Sequence, residues 1–418
     1  MKTRVWVCGF WIAYAALVPR SADAFSPIIN MEVPPQTQEL LLLAGGALPL
    51  CSSINTKACT GTPPNGRQGA PDKFTADSDG QRLLEVVDFN ASKSADSKAI
   101  YLQFVAMARS AHFLRTGERV QRPRIGILTS AASDPFDPVD FYLAAFAQAG
   151  ADPQWLPLDP AVRTSFGSDC SKIASARSAI TGEPDRGNIY PDLAKTQRSF
   201  CLDRALLSKT LADLDGLFFN GGDQSLSKAS WFDGTQPIAE FALLQARVKA
   251  QTLAIGGTSA GTAVMTKAAM ITNGTSAVAL TRGAQARQPP PLDCTRKRTC
   301  PKGLLEDDLT FEPSGGLGLF TLGILDTHFA ARSRQGRLAR LLIDSKTRFG
   351  FGVDETTALI VGYAQGSLSL RALGAGSVWI FDANGAHDAA KLSKQARLLN
   401  AGAPLAWPPE HTSKSNDY

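Results

Sequence analysis

The stretch Leu253-Ala-Ile-Gly-Gly-Thr-Ser-Ala-Gly-Thr-Ala-Val-Met265 decides how the rest of this 418-residue chain is read. An apolar run containing the β-branched Ile255 reaches a glycine pair. Ser259 then sits inside Gly257-Thr-Ser-Ala-Gly261, and a helix-forming stretch from Thr262 to Ala269 follows. The pattern is strand, sharp turn, helix, with a serine at the bend. In a G-x-S-x-G turn the glycines let the backbone fold tightly, and the hydroxyl is held out at the carboxyl end of a strand near a helix N-terminus. The same composition also occurs in plain structural turns, so a nucleophile at Ser259 needs a base and an orienting group from elsewhere in the chain.

Outward from that stretch, strands alternate with helices. Glu39–Gly46, Arg124–Ser130, Gln154–Leu158 and the start of Asp215-Gly-Leu-Phe-Phe-Asn-Gly-Gly-Asp-Gln224 read as strands. Residues 100–116, 136–150, 199–213 and 237–250 read as helices by their apolar spacing. Alternation of this kind predicts an α/β fold with a mainly parallel sheet covered on both faces, a three-layer α/β/α arrangement. Its ligand crevice lies beyond the carboxyl ends of the strands. Ser259 and the Gly221-Gly222 turn both fall there. Toward the C-terminus, Leu319–Leu325 is a strand, Ala330–Ile343 a helix, and Phe349–Glu355 a glycine-rich strand, with short closing strands after it.

Polar segments near 50–80, 160–200 and 283–303 interrupt the alternation and read as insertions into a single domain spanning about residues 38–400. Pro160–Tyr190 reads as irregular, and residues 282–303 as a basic surface loop. Residues 404–418 read as a disordered polar tail. The net charge of +5 is spread along the chain, with Arg296-Lys-Arg298 as a short cluster, which gives no sign of nucleic-acid binding. Lys2 and Arg4, the apolar Val5–Val18 and the small-residue site Ala22-Asp-Ala24 before Phe25 read as a signal peptide over 1–24. That predicts an exported protein, extracellular or periplasmic, with no stable membrane insertion. Of seven cysteines, Cys8 falls in the signal; the sequence does not fix how the remaining six connect, but neighbours along the chain fall into three local pairs, Cys51/Cys59, Cys170/Cys201 and Cys294/Cys300, each of which would close a polar, loop-like segment. Disulfides suit an exported chain, and no C-x-x-C or H-x-x-x-H spacing suggests a metal.

The chain has four histidines. His112 lies in a helix, His387 in a late turn and His411 in the tail. His328 lies just past the carboxyl end of an apolar strand, which makes it the candidate base. Asp326 and Glu355 are both candidate orienters; Glu355 is preferred because a residue on a neighbouring strand can reach across to the imidazole. Asp326 then becomes a substrate-binding acid. Backbone donors for an oxyanion are Ala260, which follows the nucleophile, and the Gly221-Gly222 turn through Gly222. Arg332, Arg334, Arg337 and Arg340 follow His328, and those nearest it could hold carboxylates.

Gly221-Gly-Asp-Gln224, Gly256-Gly-Thr-Ser-Ala-Gly261, Asp326-Thr-His-Phe-Ala-Ala-Arg-Ser-Arg-Gln-Gly-Arg-Leu338 and Gly352-Val-Asp-Glu-Thr-Thr-Ala358, in this order, resemble the motif blocks of the cyanophycinases. These belong to the serine peptidase family that also holds the aspartyl dipeptidase peptidase E. The resemblance covers about residues 38–385. It implies a glutamine-amidotransferase-like, flavodoxin-like fold with the nucleophile at the elbow, and cleavage of cyanophycin, a poly-aspartate bearing arginine on each side chain, to β-Asp-Arg dipeptides. Residue by residue it implies Ser259 as nucleophile, His328 as base and Glu355 as orienting acid. Gln224, Asp326, Thr327, Arg332, Arg334 and Arg337 match its substrate-contacting positions, although Thr327 stands where the family usually has glutamine. No cofactor is implied. The expected partner is cyanophycin or a β-aspartyl peptide, with a homodimer left open. The alternatives are a dipeptidase acting on other aspartyl peptides and a catalytically silent binding protein on the same fold.

Overall fold

The computed structural model describes residues 37–70, 75–166, 169–364 and 366–408. The expected signal segment, Cys8 and His411 lie outside these residues. Eight strands form the main sheet: β1 (Thr37–Ala44), β2 (Arg124–Leu128), β3 (Asp152–Trp155), β4 (Gly216–Phe219), β5 (Ala254–Thr258), β6 (Thr357–Ala364), β7 (Ser367–Gly374) and β8 (Leu405–Ala406). Their order is β8-β7-β6-β1-β5-β4-β2-β3. The neighbours from β1 through β5, β4 and β2 to β3 are parallel, while β6, β7 and β8 extend the other side antiparallel.

Strand β1 shows why both faces are covered. Side chains alternate along a strand, and Leu41 and Leu43 enter one core while Leu42 and Ala44 enter the other. Helices α1 (Ala95–Thr116) and α2 (Val139–Gln148) close the second core through Tyr101, Phe104, Ala108 and Phe146. Helices α3 (Ala205–Asp213) and α4 (Ala239–Lys249) close the first through Leu207, Leu211, Phe241 and Leu244. Local signals set the ends of α1: Ser94 caps the Ser97 N–H, and Gly117 ends the helix at φ +77°. The result is a mixed α/β fold around a large, mainly parallel sheet.

Several segments differ from expectation. Residues 160–202 are largely helical, as Pro160–Ser165, Ile173–Thr181 and Pro191–Leu202. Pro160 and Pro191 stand in their helices' first turns, where a missing N–H is tolerated, and Asp159 and Arg177 pair in the interior at 2.8 Å. Small apolar clusters around Val162 and Ile173 and around Tyr190 and Leu193, together with polar pairs and the Cys170–Cys201 disulfide, hold these helices. The helix expected after Ser259 shortens to Ala260–Ala263. The carbonyls of Val264, Met265 and Thr266, which would continue it, instead accept the N–H groups of Leu317, Phe320 and Gly316. Residues 405–408, expected within the polar tail, are ordered: β8 pairs with β7, and Trp407 packs on Phe349 and Phe351, while the rest of the expected tail lies outside the described residues.

Ile324–Asp326, Phe349–Val353, Ser377–Asp382 and Arg397–Asn400 form a separate four-stranded sheet. The chain passes from that sheet into β6 through the corner Asp354-Glu355-Thr356. No helix among the described residues is long and apolar enough to cross a membrane.

All three expected cysteine pairs stand at bonding distance: Cys51 with Cys59, Cys170 with Cys201, and Cys294 with Cys300. The segments they close are more ordered than loops. Cys51 lies in a two-residue strand. Cys59 is buried, ends the short helical turn Thr56–Ala58 by giving its N–H to the Thr56 carbonyl, and pairs as a β-bridge with Ser92. Cys294 is buried and opens the one-turn helix Cys294–Lys297, while Cys300 follows in irregular backbone, half-buried, with its Sγ 3.6 Å from the Thr295 hydroxyl. In the two short segments, 51–59 and 294–300, the disulfide stands in for the apolar packing that so short a turn cannot supply.

Candidate active site

Ser259 sits between β5 and the short helix with φ +53° and ψ −117°. A non-glycine residue there carries about 1–3 kcal/mol of strain, so its surroundings must impose the conformation. Two close approaches do so. A Cβ on Gly257 would lie 2.5 Å from the Gly261 carbonyl carbon, and one on Gly261 would lie 2.6 Å from the Asn220 oxygen. Only glycine lets the turn close this tightly.

The Ser259 Oγ is 2.8 Å from His328 Nε2. On the far side of the ring, His328 Nδ1 is 2.6 Å from Glu355 Oε1. A carboxylate can only accept, so Nδ1 carries the proton and Nε2 is left as acceptor for the serine hydroxyl. His328 is buried, and burial pushes its pKa below the usual imidazole value; the nearby Arg332 and Arg334 cations push the same way, against the opposing pull of Glu355. The ring is therefore neutral at neutral pH. Its neighbour Asp354 is turned elsewhere and accepts from the Ala330 and Ser377 N–H groups and the Trp379 indole.

The Gly221-Gly222 turn lies against the serine. A Cβ on Gly221 would stand 3.2 Å from the Ser259 Cβ, and Gly222, at φ +142°, is closed in by the Ala131 backbone. Gln224, just after the turn, is half-buried and donates through Nε2 to the Ile271 carbonyl at 2.7 Å.

The carboxylate and arginines after His328 divide differently from expectation. Asp326 and Arg337 are both buried. Arg337 binds Asp326 through Nε at 2.8 Å and Nη2 at 2.6 Å, and gives Nη1 to the Gly274 carbonyl at 2.8 Å. Arg334 adds a 3.3 Å contact to Asp326 and a 2.8 Å bond to the Thr327 carbonyl. Asp326 also accepts the Thr327 N–H, and Thr327 is itself buried. The Asp326 carboxylate thus accepts from Arg334, Arg337 and the Thr327 N–H together. Arg334 is held down to about 10 by burial, so it stays cationic at neutral pH. Arg332 is exposed and makes no side-chain hydrogen bond or ion pair with a described residue. Arg340 pairs with Asp344 on the helix Gln335–Asp344, which begins later than the Ala330 start expected from the sequence.

His112 is at the other end of the sheet, where it and Arg115 hold Asp215 ahead of β4. Gly46 is a site residue with no named role in the sequence pattern. It has φ +112°, and a Cβ there would lie 2.5 Å from His328 Nε2. The available signal was a glycine pair ending a parallel strand, as at Gly221-Gly222.

No family model matches the chain. Three relatives carry the name cyanophycinase. The one from Nostoc sp. is 32% identical over 186 residues, 44% of this chain and 51% of the relative. The one from Trichormus variabilis is 33% identical over 173 residues, 41% of this chain and 47% of the relative. The match to the relative from Geminocystis herdmanii is longer: 30% identity over 258 residues, 62% of this chain and 69% of the relative. The chain thus spans about half the length of the first two.

Proposed function

This chain belongs to the cyanophycinase-like family, and from that premise we propose that it is a serine-type exopeptidase that releases β-Asp-Arg dipeptides from cyanophycin. The observation that carries this reading is the unbroken line from Ser259 Oγ through both nitrogens of His328 to Glu355. In this reading the frame is the flavodoxin-like, glutamine-amidotransferase-like one, and the turn at Ser259 is its nucleophile elbow.

The steps follow from the proton positions. His328 Nε2 takes the Ser259 proton as Oγ attacks the substrate carbonyl, and Glu355 steadies the resulting imidazolium. The negative oxygen is received by the Ala260 N–H, the first donor of a helix and so without an intrahelical acceptor, and by the Gly222 N–H. Loss of one such donor in other hydrolases costs about 10²–10³ in rate. His328 then passes its proton to the leaving amine, and water releases the acyl group from Ser259 by the same route in reverse.

Arg332 and Arg334 place two cations beside His328, suited to the free carboxylates of an aspartyl substrate. The three disulfides are compatible with export, and we assign the chain to the outside of the cell or the periplasm. The test is incubation of the purified protein with cyanophycin and mass analysis of the products. Release of β-Asp-Arg is expected. Cleavage of α-aspartyl dipeptides without any polymer digestion would replace the polymer substrate with small aspartyl peptides, and no cleavage of either would remove the peptidase assignment.

A further inference from the structure

Ser259, His328 and Thr356, the last beside Glu355, share an unusual property: all three are non-glycine residues with positive φ, at +53°, +48° and +53°. Each such conformation is unfavourable by about 1–3 kcal/mol and persists only where the surroundings over-determine it. One short segment contacts all three. The Ala44 carbonyl accepts the Ser259 N–H at 3.0 Å, the Gly45 carbonyl accepts the His328 N–H at 2.8 Å, and the Gly46 carbonyl accepts the Thr356 N–H at 2.9 Å. Three successive carbonyls at the end of β1 thus hold three backbones that are far apart in sequence.

The segment is itself fixed. Ala44 O also accepts the Thr262 hydroxyl at 2.7 Å, and the Gly45 N–H donates to Thr357 O at 2.8 Å. The Thr356 hydroxyl donates to Ala47 O at 2.9 Å. Its faces are tightly enclosed: a Cβ on Gly45 would lie 2.7 Å from the Asp354 carbonyl carbon, and one on Gly46 would press into the His328 imidazole, 2.9 Å from Nδ1.

We infer that Ala44-Gly45-Gly46 is a backbone template that sets the relative positions of Ser259, His328 and Glu355, and that Gly46 is a positioning residue for the His328 ring. This rests on the reading of those three residues as the catalytic group. The glycine at 46 does two things at once: it adopts a φ that other residues resist, and it leaves room for the His328 Cε1, Nε2 and Nδ1 atoms where a Cβ would stand.

The test uses Gly46→Ala in the full chain. The added methyl displaces the ring, and a misplacement of about 1 Å costs about 100-fold in rate. The expected result is a fall in kcat of about that size with KM changed less than about threefold, because the substrate contacts are elsewhere. Ser259→Ala is assayed beside it. An active Ser259→Ala protein removes the catalytic reading itself; an inactive Ser259→Ala protein with normal kcat in Gly46→Ala removes the template alone. Stability supplies a second readout that holds even if Gly46→Ala folds poorly. Removing the ring makes room for the methyl, so Gly46→Ala/His328→Ala should melt higher than Gly46→Ala. A double variant no more stable than the single one overturns the inference.

Discussion

Asp326 and Arg337 are joined by two hydrogen bonds, at 2.8 and 2.6 Å, with both side chains buried two and nine residues from His328. The motif places both among substrate contacts, yet the pair is closed and faces the interior. Arg337→Leu leaves a buried carboxylate without its main partner, and such a loss is worth about 3–5 kcal/mol. A denaturant midpoint should record it. A variant of unchanged stability with a raised KM would return Arg337 to the substrate.

Arg332 is the opposite case, exposed and without a side-chain partner among the described residues. Arg332→Ala should leave the melting temperature unchanged. It should weaken kcat/KM for aspartyl substrates by about tenfold, the equivalent of one charge-assisted contact. Because the Arg332 cation helps keep the His328 pKa down, the acid limb of the pH profile should also move upward. An unaltered kcat/KM would exclude Arg332 from substrate recognition.

The pH profile of the unmodified protein is a separate prediction. As the proposed base, His328 would have to be neutral to accept the serine proton, and burial lowers its pKa from the ordinary 6.5. Activity is therefore retained through neutral pH and lost as pH falls through a value below 6.5. The measurement is kcat/KM against pH, which reports the free enzyme. An acid limb above 6.5 would contradict the burial seen for His328.

The Cys170–Cys201 disulfide, at a sequence separation of 31, closes the span that contains the helix Ile173–Thr181 and nearly all of Pro191–Leu202. Its removal by Cys170→Ser/Cys201→Ser should lower stability by about 2–4 kcal/mol. The melting temperature should fall while kcat at 25 °C holds, since this disulfide has no contact with Ser259. An unshifted melting temperature would show that the helices hold without it.

The main sheet was legible because its strands are nearly continuous apolar runs ended by glycines, from Leu40–Ala44 to Ala254–Gly257. Ser259 and His328 were legible for a related reason: each follows such a run at a strand's carboxyl end. The cysteine pairs were legible from proximity along the chain, but the turn before Cys59 and the helix before Cys300 were not, because a disulfide orders a segment without any apolar period. The 160–202 helices were hidden in a similar way, since the few apolar residues they bury, such as Val162, Ile173 and Leu193, are joined by the Asp159–Arg177 pair and a disulfide and leave no clear helical period. Nor was the closed Asp326–Arg337 pair visible, since sequence gives an arginine's spacing and not the direction of its guanidinium. Gly46 was hidden for a third reason: its role depends on contacts with residues 282 and 310 positions further along the chain, His328 and Thr356.

Activation of Ser259 as a nucleophile by His328 is tested most directly by intact and peptide mass spectrometry after exposure to a serine-reactive fluorophosphonate. One adduct per chain is expected, located on Ser259, absent in Ser259→Ala and strongly slowed in His328→Ala. Polymer digestion by a protein whose Ser259 stays unlabelled, or an adduct that persists in Ser259→Ala, would contradict it.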